Sequence, residues 1–182
     1  EVTFPEGVVY NGLWFRNIEG LIKGKVTLPD GRIIIGKKNK DKRYLIDGKI
    51  IYPDGQVREG TFDDYSLNIY EGKVTYTDGY SEEGKFDKDL NRIIEGKITF
   101  PNGQVAEGTW DKNTGKLIEG KVTTSGGEIY EGTFDKDTAA LIKGKITDPG
   151  VMVHEGTFDK NTSILIEGKS TNLLFKVFAE GT

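Results

Sequence analysis

Three kinds of residue in this sequence could do chemistry. Carboxylates come first, because the chain holds 29 Asp and Glu residues. A glycosidase-type reaction needs two of them isolated in a cleft, whereas here acids recur at fixed intervals, as at Glu83, Glu107, Glu131 and Glu155, the pattern of a solvated face. The second kind is the Asp-Lys-Asn/Asp-Thr segment, with alternating oxygens at Asp111/Asn113, Asp135/Asp137 and Asp159/Asn161. These segments lack the sixth-position glycine and bidentate Glu of a helix-loop-helix calcium site, and each places a Lys between its oxygens, so turn capping is the better reading. The third is His154, the one histidine, in a chain with no cysteine. Without a second imidazole or any thiolate, neither a transition-metal site nor a nucleophile is expected. The reading is therefore non-enzymatic, with no catalytic residue, metal or cofactor.

What positions these side chains is a repeat. The dipeptide Gly-Lys stands at Gly24, Gly48, Gly72, Gly96, Gly120, Gly144 and Gly168, always 24 residues apart, and a second glycine runs at the half period from Gly12 to Gly156. Self-similarity of this length marks a repeat architecture in which neighbouring units stack. In the unit around Gly96, Ile98 and Phe100 alternate with Lys97 and Thr99, the period of a half-buried strand. Pro101-Asn102-Gly103, like Pro53-Asp54-Gly55 and Thr77-Asp78-Gly79, is a hairpin turn. Keeping both strands in phase requires Phe100 opposite Gln104 and Gly96 opposite Gly108, which leaves a three-residue loop ending in Gly103. The next strand returns through Asp111–Lys116, with Trp110 expected opposite Ile118 and Gly108 opposite Gly120. The predicted fold is all-β: an elongated single-layer antiparallel β-meander of about seven stacked hairpin repeats over 1–168, twisted along its axis, with a capping strand in 169–182.

Side-chain rows follow from that register. An acid-base ladder of Glu83, Lys97, Glu107, Lys121, Glu131 and Lys145 should line one face and fix register. The other face should carry Phe62, Phe86, Trp110, Phe134 and Phe158 beside Ile94, Ile118, Ile142 and Ile166, with Tyr76 and Phe100 nearer the hairpins. Between them runs the glycine row, whose bare backbone lets the large rings fold across it. One column resists the scheme. Val57, Val105, Ile129 and Val153 fall on the wet side and Arg58, Glu82 and His154 on the apolar side, which a bulge before the second glycine would reconcile.

The ends depart from the pattern. The loop Asn39–Arg43 is the most basic stretch, and Asn172–Phe178 reads as a last strand closing the open edge. Glu1-Val2-Thr3-Phe4 aligns with Lys97-Ile98-Thr99-Phe100, so the chain starts inside a unit, as a cleavage product or a piece of a longer array would. A formal net charge of -4 removes the bulk attraction that drives binding to phosphate backbones, so nucleic acid is not an expected partner, and membrane contact is not favoured either. Asn161-Thr162-Ser163 matches a glycosylation sequon.

Tyr130-Glu131-Gly132-Thr133-Phe134, a polar loop, Gly144-Lys145-Ile146-Thr147 and the Tyr70-Glu71-Gly72 to Asp78-Gly79 segment resemble the MORN repeat (membrane occupation and recognition nexus). The resemblance covers residues 1–170. It implies a meandering sheet used for protein association, dimerisation or positioning of an attached catalytic domain. The expected function is a β-repeat scaffold that binds another protein, or itself, through the face holding Phe62, Tyr76, Phe86, Phe100, Trp110 and Phe134. The alternatives are a regulatory or targeting array of a larger enzyme or assembly, and a structural repeat of an extracellular or particle surface.

Overall fold

The computed structural model describes residues 1–3, 5, 7–14, 21–38, 45–63 and 66–174. It divides into two compact units, Glu1–Ile93 and Ile94–Thr182. The first contains β1 (Val2–Thr3), β2 (Val9–Trp14), β3 (Leu21–Thr27), β4 (Ile33–Lys38), β5 (Leu45–Ile51), β6 (Val57–Phe62), β7 (Ile69–Thr75) and β8 (Ser81–Asp87). From there β9 (Arg92–Thr99) leads into the second, which holds β10 (Val105–Trp110), β11 (Leu117–Thr123), β12 (Ile129–Phe134), β13 (Leu141–Asp148), β14 (Met152–Phe158) and β15 (Leu165–Asn172). All fifteen elements formed by the described residues are strands. In each unit every strand pairs antiparallel with the next in the chain, so the fold is an antiparallel meander.

The hairpin register is the one the face pattern requires. Phe100 N–H donates to the Gln104 carbonyl at 2.8 Å and Gly103 N–H to the Phe100 carbonyl at 2.9 Å, closing the three-residue loop. Gly103 has φ +86°, the left-handed conformation for which glycine is chosen at this place. Glu107 lies opposite Lys97 and Gly108 opposite Gly96.

The Asp loops are capped turns. Asp111 Oδ1 accepts from the N–H groups of Asn113 and Thr114 and from the Thr114 hydroxyl, at 3.0, 2.7 and 2.9 Å. Asp135 and Asp159 repeat the arrangement. The donated Thr114 N–H foremost, then its hydroxyl, holds the Asp111 carboxyl below the usual range. Gly115 N–H then donates back to the Asp111 carbonyl. Position 115 is left-handed in every described copy, and in four of them without glycine: Leu67, Asn91, Ala139 and Ser163 have φ between 52° and 65°.

This loop changes one expected pairing. Trp110 lies opposite Leu117, not Ile118, because the register shifts between Thr109 and Trp110 and makes Ile118 the extra residue of a bulge. The same shift occurs at Thr61/Phe62, Thr133/Phe134 and Thr157/Phe158. The buried partners of Phe62, Trp110 and Phe134 are therefore Ile69, Leu117 and Leu141. The expected column fails most visibly at Ile166, which is 66% exposed. The bulge expected before the second glycine is absent, since pairing runs unbroken from Val105 to Thr109.

The glycine row has a steric cause. Gly108 has φ +147°, and a Cβ built there would stand 2.0 Å from the Glu119 carbonyl oxygen and 2.7 Å from the Gly120 Cα. Gly120 meets the Glu107 carbonyl in the same way. Only glycine permits both the backbone conformation and the approach of the paired strands. At the C-terminal side, Asn172 ends β15 and Leu173 N–H donates to the Val151 carbonyl, so the expected strand does not run on through Leu173 and Leu174. Residues 175–178 of that strand, and the basic loop 39–43, lie outside the described residues.

Candidate interaction surfaces

In the second unit the apolar face is built from rows. Along β9–β13 the row beside the hairpins contains Ile98, Ala106, Val122, Tyr130 and Ile146, while the row beside the Asp loops contains Trp110, Leu117, Phe134 and Leu141. A groove of about 410 Å³ opens along both rows and the neighbouring Asp loops, while Gly108, Gly120 and Gly132 line a different hollow, with Glu107, Lys121 and Glu131. The groove brings together three of the expected contact residues, Phe100, Trp110 and Phe134, with Ala106, Val122 and Tyr130. Trp110 and Phe134 are 7% and 6% exposed, so the groove meets their edges while their bodies belong to the core. The Trp110 indole N–H is buried without an acceptor among the described residues, a cost of about 1–3 kcal/mol that a satisfied core would avoid. Burial, followed by the charges of Glu128 and Asp148, raises the Tyr130 pKa and keeps the phenol neutral.

Phe62, Tyr76 and Phe86 belong to the first unit. Phe62 is fully buried and Phe86 nearly so, which makes both core residues; Tyr76 is half-buried at a corner of different character. There Arg58 stands opposite Ile50 and Val74, and Glu82 opposite Val74, on the apolar face. The Arg58 guanidinium lies 5.0 Å from the centre of the Tyr52 ring, and its Nε donates to Gln56 Oε1 at 3.0 Å. Tyr80 donates its hydroxyl to Glu82 Oε1 at 2.9 Å, and the Tyr76 and Tyr80 rings are 5.3 Å apart at 58°. Burial raises the Glu82 pKa against the lowering effects of Tyr80 and Arg58. The Tyr80 phenol is raised too, by burial first and then by the Glu82 charge. Sequence reasoning named Tyr76 here but left Arg58 and Glu82 as misfits. The signal was the presence of charge at an apolar-face position of the repeat. His154, the third misfit, is accounted for by its neighbour: its Nδ1 is 2.7 Å from the Ser170 hydroxyl on the paired strand.

The opposite face carries the charge ladder in the predicted order. In the second unit Lys97 and Lys121 flank Glu107, and Lys121 and Lys145 flank Glu131. Lys97 Nζ is 3.8 Å from Glu107 Oε1, and in the first unit Lys73 Nζ is 3.4 Å from Glu83 Oε2. These pairs are exposed and each contributes less than about 1 kcal/mol, enough to prefer one register over another but little more.

No family model and no curated protein matches this chain. Among solved structures it is similar to the TCP domain of Drosophila melanogaster SAS-4 (dCPAP), in complex with a proline-rich motif of Ana2 (dSTIL). That match has 13% identity and a TM-score of 0.39, over 82% of this chain and 81% of that one. It is also similar to a mutant TCP10 domain of Danio rerio CPAP, at 16% identity and TM-score 0.20, over 92% of this chain and 97% of that one.

Proposed function

We propose that this chain is a non-enzymatic, MORN-like repeat scaffold that associates with another protein through the groove of its second unit. The observation that carries this reading is the groove itself. An apolar sheet face lined by Phe100, Ala106, Val122 and Tyr130 holds about 410 Å³ of open space beside buried rings. A concave, mostly apolar space of this volume has the form of a site that seats a partner's side chains. The ladder face offers a weaker handle, because neighbouring charges of opposite sign leave little net field to steer association.

The test compares the two faces directly. A partner found by cross-linking is measured against the parent chain, Tyr130→Asp and Lys97→Glu, each at low and high salt. Tyr130 is half-buried on the groove, so the new charge should weaken binding roughly thirtyfold or more, as loss of an anchor worth about 2 kcal/mol or above does. Binding by the parent should survive high salt. If Lys97→Glu abolishes binding and Tyr130→Asp leaves it intact, the working face is the charged one.

A further inference from the structure

Superposing the repeats gives the corner of the first unit a specific meaning. Tyr52, Gln56 and Arg58 occupy the same three positions in their repeat as Tyr76, Tyr80 and Glu82 in the next. In the earlier copy the corner holds its own cation. The Arg58 guanidinium sits over the Tyr52 ring, Gln56 accepts from its Nε, and the Asn91 amide, turned to present its oxygen, accepts from its terminal nitrogens at 3.0 and 3.3 Å. In the later copy an acid stands where the arginine stood. The Tyr76 and Tyr80 rings meet at 58°, and Glu82 Oε1 takes the Tyr80 hydroxyl. Glu82 Oε2 has no hydrogen bond or ion pair among the described residues. Asp78, at the hairpin tip, adds a second negative charge felt at both rings. Arg58 is the cation whose field reaches Glu82 and Tyr76, and it is engaged by Tyr52, Gln56 and Asn91.

We propose that Tyr76, Tyr80 and Glu82 form a binding site for a basic side chain, a lysine ammonium or arginine guanidinium presented by a partner protein. The electron-rich ring faces attract the cation, and Oε2 accepts its N–H in a charge-assisted hydrogen bond. Half-burial of the carboxylate excludes part of the water that would otherwise weaken both contacts. None of these three residues lines the groove of the second unit.

The probes are Nα-acetyl-lysine N-methylamide and its arginine counterpart, with the norleucine compound as a neutral isostere of similar reach. Their binding is followed through the ring resonances of Tyr76 and Tyr80 in the full chain. Both basic probes should shift these signals saturably and the norleucine compound should not. Glu82→Gln keeps an acceptor for the Tyr80 hydroxyl but removes the charge, and should weaken the basic probes roughly tenfold or more. Tyr76→Leu, which retains the carboxylate, should weaken them severalfold. Unshifted ring signals of Phe62, a core residue of the first unit, show that the fold is kept in both variants. An equal response to the norleucine compound, or undiminished binding by Glu82→Gln, overturns the assignment.

Discussion

Arg58 and Glu82 in the first unit hold the repeat position that Ala106 and Tyr130 hold in the second. The backbone around all four is the same. Arg58 is flanked by Ile50 and Val74, Ala106 by Ile98 and Val122, and Tyr130 by Val122 and Ile146. Glycine pairs, bulges and capped turns also recur on both sides of the boundary at Ile93. Three side chains of the hairpin change, Tyr76, Tyr80 and Glu82 giving way to Phe100, Gln104 and Ala106, and with them the face turns from an ionic tyrosine corner into an apolar groove. The repeat frame thus sets geometry, while chemistry is written at the positions the frame does not need.

If that division is correct, damage to the frame should cost the same in either unit. Gly60→Ala and Gly108→Ala each force a Cβ to within about 2 Å of a carbonyl oxygen at a φ near +145°. Each should therefore destabilise its unit by roughly 3 kcal/mol or more in chemical denaturation. A harmless alanine at one position and a severe one at the other would end the comparison. Trp110→Ala should cost about 3–5 kcal/mol, because a ring 93% buried leaves a cavity, offset in part by removal of the unpaired indole N–H. Hydrogen exchange should show protection lost in β9–β13 and retained in β3–β7, as nearest-neighbour stability requires. Equal loss in both would mean one cooperative globule.

Smaller effects separate the two corners. Ala106→Glu writes the acid of the first unit into the second, where Ala106 is 3% exposed and its paired neighbours are Ile98 and Val122. With no tyrosine hydroxyl or arginine in reach at the matching positions, Phe100 and Gln104, the carboxylate should cost about 2 kcal/mol in thermal melts at neutral pH. Glu82→Gln is the mildest change. Burial raises the Glu82 pKa in the folded chain, so the stability that its protonated form provides is present at acid pH and is lost as pH rises through the raised value. The glutamine variant has no such loss. It should melt slightly above the parent at about pH 8 and converge with it near about pH 3, where the parent is protonated in either state. A variant less stable than the parent at the higher pH would show that the Glu82 charge is already compensated.

Much of this frame was legible in the sequence because its determinants are local. Phe100 opposite Gln104 follows from alternation plus one Pro-Asn-Gly turn, and the ladder follows from that pairing. The Asp caps were readable from Asp111 and Thr114 alone. The exchange of Leu117 for Ile118 was not, because it depends on a left-handed residue that is glycine only at Gly115 and is Leu67, Asn91, Ala139 or Ser163 elsewhere. The groove was half legible: its rings were named from their period, but that Trp110 and Phe134 sit in the core and expose only an edge depends on how neighbouring rows close over them. The corner around Glu82 was visible as a broken pattern without an explanation, since its partners Tyr80 and Arg58 come from different hairpins.

The paired glycines also bear on how such a chain avoids folding wrongly. A strand that slipped by one residue would push the side chain of Thr109 or Lys121 against a carbonyl oxygen where Gly108 or Gly120 now fits, so small errors of alignment are rejected sterically. A slip of a whole repeat meets no such barrier, because it sets glycine against glycine again. Between copies so alike, the residues that still tell one strand from another include Arg58, Glu82, Ala106 and Tyr130. The positions that diversify the surface therefore also serve as addresses during folding, and a chain with all of them made identical would be expected to populate whole-repeat misalignments that this one avoids.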